Sequence, residues 1–181
     1  VLYNHGVKRL PVLGALNMGL CRTLSVILGA SAAPAGAIAK EAIVAAGLIG
    51  LYIAAITNLA RFETRAGSPL PAKWLPALML LGGLVAAWTW VPMGTRETLL
   101  LSTIAFRGLL ITAICLSAWI AFSLSRGGCP LPPAIGRFIR LLLLLQAAFC
   151  AYSGAVGLIL AGFFLILYPI SRAVGKRFYA S

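Results

Sequence analysis

The stretch TLLLSTIAFRGLLITAICLSAWIAFSL, residues 98–124, carries a single charged side chain, Arg107. A hydrocarbon core of about 30 Å takes roughly 20 apolar residues of α-helix to cross. This stretch exceeds that length, and only a helix satisfies all of its backbone groups internally in lipid. It is therefore expected to cross a membrane. Similar runs at 10–31, 41–60, 74–92, 135–152 and 155–171 predict five more helices of the same kind. Between them, SAAPAGA, GSPLPAK, VPMGTRE and SRGGCPLPPA supply Pro and Gly, which end helices or set turns. The last two runs are separated only by a turn near Ser153 and Gly154. The expected fold is an all-α, polytopic transmembrane bundle of about six spans, forming one domain over residues 1–181.

Composition agrees with that reading. The 181 residues are 61% hydrophobic and 10% charged, against roughly 25% charged in a soluble domain. The net charge of +12 does not imply nucleic acid, because basic residues alternating with apolar spans follow the positive-inside rule. Lys8, Arg9, Arg61, Arg65, Lys73, Arg126, Arg137, Arg140, Arg172, Lys176 and Arg177 fall on one side of the predicted spans. Lys40 and Arg96 fall on the other. The bias predicts that both termini of the chain and the 61–65 segment are cytoplasmic; the expected location is a bacterial cytoplasmic membrane. Trp74, Trp88, Trp90, Tyr168 and Tyr179 stand near span ends, as interfacial anchors do. Cys21, Cys115, Cys129 and Cys150 lack the short spacing of a metal or redox motif and read as small apolar fillers.

The chain contains no Asp, and His5 is its sole histidine. Within these residues that excludes a Ser-His-Asp arrangement, a paired-Asp dyad and a His-rich metal site. What remains is a set of cations at one membrane border, Glu63 among them, and polar residues at depth. Lys8 and Arg9 precede the first span, where such a pair either snorkels to the headgroups or clamps a diphosphate. Arg22 lies roughly 18 Å into its span, where a charge costs about 2.5–3.5 kcal/mol and faces a cavity or a partner. That partner could be Asn17 or backbone carbonyls. Gln146 in LLLLLQAAF is either interhelical glue or a pocket-lining amide. Arg107 is assigned a structural role. Glu63 lies between Arg61 and Arg65. An extended backbone would project all three to one side, and a helix would turn Glu63 away from both arginines.

The order of these features resembles the C-terminal two-thirds of the UbiA-type membrane prenyltransferases, in particular the divergent UbiA-like branch that includes the EboC proteins. The resemblance rests on YNHGVKRLPVLGALNMGLCRTLSVILGAS (3–31), GLYIAAITNLARFETRAG (50–67), RLLLLLQAAFCAYSG (140–154) and LILYPISRAVGKRFYAS (165–181). It implies a bundle around a lipid-facing central cavity whose cytoplasmic mouth binds Mg²⁺ and a prenyl diphosphate, with an aromatic or other hydrophobic acceptor taking the prenyl group. On that resemblance, Lys8 and Arg9 match the basic loop, Glu63 matches the final acid of the second acidic motif, and Gly67 matches the glycine that follows it. Glu63 would then be the metal ligand and, with Lys8, catalytic; Lys8, Arg9, Arg61 and Arg65 would hold the diphosphate, and Asn17, Arg22 and Gln146 would line the cavity. The first Asp-rich motif of such a protein would lie upstream of Val1. The second is reduced here to one carboxylate, with Leu59 standing where an Asp is expected. Two functions follow as expectations: a metal-dependent prenyltransferase, or a non-catalytic protein of the same fold that binds or helps export a lipophilic metabolite. An unrelated six-span transporter ranks third, since the two halves show no convincing repeat.

Overall fold

A computed structural model describes residues 11–32, 39–63, 68–90 and 97–178, with the side chains of 11, 87, 90, 97–99 and 176–178 left aside. Among the described residues there are six helices and no strand: α1 (Pro11–Ser31), α2 (Lys40–Ala60), α3 (Leu70–Trp90), α4 (Glu97–Ser125), α5 (Leu131–Tyr152) and α6 (Ala155–Phe178). Five of them, all but α3, contain apolar windows long enough to cross a membrane; the apolar stretch counted in α3 is Leu70–Ala86. The chain is thus a multi-pass helical membrane protein.

Three boundaries differ from the sequence expectation, for two physical reasons. Helices α3 and α5 begin four residues earlier than expected, at Leu70 and Leu131, because Pro71, Pro132 and Pro133 stand in the first turn. There a missing N–H costs nothing, and the fixed φ suits the helix. Helix α6 continues to Phe178 instead of stopping at 171, since a helix need not end where its side chains become charged. At the end of α4, Gly127 adopts φ 73°. Gly128 N donates to Ser123 O at 3.0 Å, and Gly127 N to Leu124 O at 3.4 Å, the paired bonds of a Schellman cap. Gly154, at φ 85°, turns α5 tightly into α6, as expected near Ser153.

Consecutive helices pack on one another, and α2 also packs on α5. Helices α2, α3, α4 and α5 therefore close into a four-helix ring. Helix α1 lies chiefly against α2, and α6 chiefly against α5. Burial follows this plan: 50% of the apolar window of α2 is buried, against 11% in both α1 and α6. The middle of the ring is filled by Tyr52, Leu80, Phe106, Leu110, Phe138 and Leu145, all within one apolar cluster. Large aromatic side chains thus occupy the middle of the described ring. Phe106 packs against Phe149 and Tyr152 at ring-centroid distances of 5.6 and 5.7 Å.

Helix α1 is held to α2 by close backbone approach. A Cβ added at Gly50 would meet Thr23 Oγ1 and, at 2.8 Å, Gly19 O. Thr23 Oγ1 lies 3.2 Å from both Gly19 O and Ala46 O, so its one proton serves its own helix or bridges to α2. Small residues create such contacts between membrane helices. Gly50→Val is expected to destabilise the protein by about 1–3 kcal/mol and to free α1 first. Limited proteolysis in detergent checks this: cleavage should begin between α1 and α2 in the variant and not in the wild type.

Candidate functional site

Consecutive helices run antiparallel, as the approach of Gly19 to Gly50 and Ala54 and of Thr23 to Ala46 illustrates for α1 and α2. The start of α1, the end of α2, the starts of α3 and α5 and the ends of α4 and α6 therefore share one end of the bundle. Arg61, Lys73, Arg126, Arg137 and Arg172 gather toward it, while Lys40 and Glu41 begin α2 at the other. Lys73 belongs to the first turn of α3, not to the preceding loop, and its Nζ donates to Leu124 O near the end of α4 at 3.4 Å. That cation stabilises the negative end of the α4 dipole.

Glu63 is exposed, in the turn that follows α2, and its amide donates to Ala60 O at 3.1 Å. Arg61 does not reach toward it. The Arg61 guanidinium folds back, donating from Nη1 to Asn58 Oδ1 at 2.9 Å and lying 5.8 Å from the Phe62 ring. Lys8, Arg9, Arg65 and Gly67 lie outside the described residues. Of the chain's two other carboxylates, Glu41 and Glu97, each begins its helix at the opposite end of the bundle. No group of three His, Cys, Asp or Glu residues comes together among the described residues. Mg²⁺ sites that handle phosphates use one or two carboxylates plus substrate oxygens. Among the described residues, Glu63 is the only carboxylate at this end of the bundle.

The polar residues at membrane depth sort into three environments. Arg107 is buried at 9% exposure, with its guanidinium 4.2 Å from the Trp88 ring centroid. That cation–π contact joins α4 to α3 and fits the structural role expected of it. Asn17 lines a shallow groove between α1 and α2 with Leu13, Leu16 and Leu20. Arg22 stands five positions further along the helix, which turns the two side chains to different faces.

Arg22 and Gln146, in contrast, meet in one groove of about 510 Å³. Helices α2 and α5 form its floor through Ile49, Ile53, Ile139, Leu142 and Leu143. Helix α1 contributes Arg22, Ser25 and Val26 as one wall, and α6 contributes Ser171 as the other. Arg140 of α5 joins them, about 14 Å from the start of its helix, with Arg22 about 17 Å from the start of α1. Ser25 Oγ donates to Cys21 O, and Ser171 Oγ to Tyr168 O, both at 2.8 Å. Their protons are thus spent on their own helices. The donors offered to the groove are the two guanidiniums and the Gln146 amide, and its lining contains no carboxylate.

A second cavity, of about 470 Å³, lies on the other side of Arg140. Trp119, Arg137, Tyr168 and Arg172 line it with Arg140 itself. Sequence reasoning assigned Arg137, Arg140 and Arg172 only to the positive-inside pattern. The signal that marks them was Pro132-Pro133: a helix starting there carries Arg137 and Arg140 one turn apart on one face.

No family model, curated protein or solved structure matches the chain.

Proposed function

We propose that this protein binds a lipophilic molecule with an anionic head, the head held by Arg22, Arg140 and Gln146 and the apolar part lying on Ile49, Ile53 and Leu143. This is the binding or export function expected for a non-catalytic member of the resembled fold. One observation carries it: two arginines at membrane depth converge on an apolar groove whose lining includes no acid. Each such charge costs about 2.5–3.5 kcal/mol to place. An anion in the groove offsets that cost through charge-assisted hydrogen bonds, for which the guanidinium fork suits a phosphate or carboxylate. With the basic end placed in the cytoplasm by the positive-inside rule, the groove opens from the inner leaflet.

Prenyl transfer is the second reading, favoured by Glu63 standing at the same end of the bundle as the basic residues. The two readings part on metal dependence. Geranylgeranyl diphosphate is expected to bind the purified protein equally well in Mg²⁺ and in EDTA, and Glu63→Ala is expected to change its Kd less than twofold. A strict Mg²⁺ requirement for binding would count against the groove. Mg²⁺-dependent turnover that falls by orders of magnitude in Glu63→Ala and Lys8→Ala would establish the transferase instead.

A further inference from the structure

The cavity between α4, α5 and α6 is not needed for the function just proposed, yet its lining is ordered by depth. Arg137 is the seventh residue of α5, Arg172 is six residues from the end of α6, and Trp119 is six from the end of α4. At 1.5 Å per residue all three lie about 9 Å inside their helix ends. With helices of 22 to 29 residues against a core of about 30 Å, that level lies within about 8 Å of the border between headgroups and hydrocarbon, on its inner side. The composition of the lining matches the place. Three guanidiniums, those of Arg137, Arg140 and Arg172, share the space with Trp119 and Tyr168, and neither Glu41 nor Glu63 lines it. Indole and phenol rings favour that interface, and arginine forks fit phosphate oxygens.

Two glycines make the room. A Cβ on Gly175 would stand 3.0 Å from Arg140 Nη1, so its absence lets that guanidinium lie against α6. A Cβ on Gly136 would meet nothing within 4 Å, and it would project into unoccupied space beside the arginines.

We propose that this cavity seats the phosphate of an anionic bilayer phospholipid, its glycerol end resting against Trp119 and Tyr168. Arg140 lines both this cavity and the groove on its far side, but Arg137 and Arg172 line this cavity alone and can seat a phosphate without the groove being filled.

The test uses the full chain in a neutral maltoside detergent and follows thermal unfolding by tryptophan fluorescence. Dioleoyl phosphatidylglycerol is expected to raise the wild-type Tm by several degrees, since a ligand that binds only the folded state stabilises it. Dioleoyl phosphatidylcholine and inorganic phosphate are expected to give no comparable shift. Two variants should lose the phosphatidylglycerol response while unfolding in detergent alone within about two degrees of wild type: Arg137→Gln/Arg172→Gln, which removes the donors, and Gly136→Leu, which fills the space at a position that favours helix. Arg22→Ala should keep the response. The proposal is overturned by a full response in both of those variants, by inorganic phosphate reproducing the shift, by equal shifts from the two lipids, or by loss of the response in Arg22→Ala alone.

Discussion

Arg22→Ala is expected to weaken binding of geranylgeranyl diphosphate by about 10- to 100-fold. A hydrogen bond to a charged group contributes about 1.5–3 kcal/mol, and each 1.4 kcal/mol is a factor of ten in affinity. The guanidinium works in an apolar surround, with Ile49, Ile53 and Val26 about it, where screening by water is weak. Arg22→Lys should recover part of the loss, because an ammonium supplies charge without the planar fork. Arg22→Ala is expected to leave the Tm of the ligand-free protein unchanged or slightly raised. Arg22 is exposed on α1, and removing a charge from membrane depth is favourable for folding. Binding titrations beside thermal scans separate the two effects. Equal losses of affinity and stability would show that Arg22 acts only by holding α1 in place.

The largest effect on stability is expected at Tyr52. Its side chain is fully buried in the ring, and its hydroxyl donates to Phe138 O at 2.9 Å across the α2–α5 contact. That contact closes the ring, so the bond sits at the one junction not made by sequence neighbours. Tyr52→Phe removes the donor alone and should cost about 0.5–1.5 kcal/mol. Tyr52→Ala also leaves a cavity the size of a ring among Phe106, Phe138 and Leu145, for which aromatic-to-Ala substitutions cost about 3–5 kcal/mol. Unfolding of the variants in mixed micelles measures both. A Tyr52→Ala protein as stable as Tyr52→Phe would mean that the ring collapses freely around position 52, contrary to the packing described.

The helices were legible in the sequence because an apolar run of that length has few alternatives in water or in lipid. Arg22 and Gln146 were legible as functional candidates for a related reason: polar groups inside such runs are costly enough to demand a role. Arg140 was not, since it lies close enough to a span border to pass as a topological charge. Only the helix start at Leu131, with prolines in its first turn, moves it to membrane depth. The meeting of Arg22 with Arg140 and Gln146 was also hidden. It depends on α2 packing on α5 and on α1 and α6 flanking that pair, contacts between segments far apart in the chain that no local pattern encodes. The same is true of Asn17, which local spacing allowed as a partner of Arg22 and which the helix turns to another face. The packing of the ring was not legible for a different reason: the aromatic residues in it, Tyr52, Phe106 and Phe138, carry no pattern in sequence that distinguishes a cavity wall from a core.

A photoreactive prenyl diphosphate locates the bound molecule directly. With a diazirine on the prenyl chain, crosslinking in EDTA followed by peptide mapping should label α1, α2 and α5 at Val26, Ile53 and Leu143, and excess geranylgeranyl diphosphate should suppress the label. Saturable labelling confined to α3 or α4, or labelling that appears only when Mg²⁺ is present, would contradict the account.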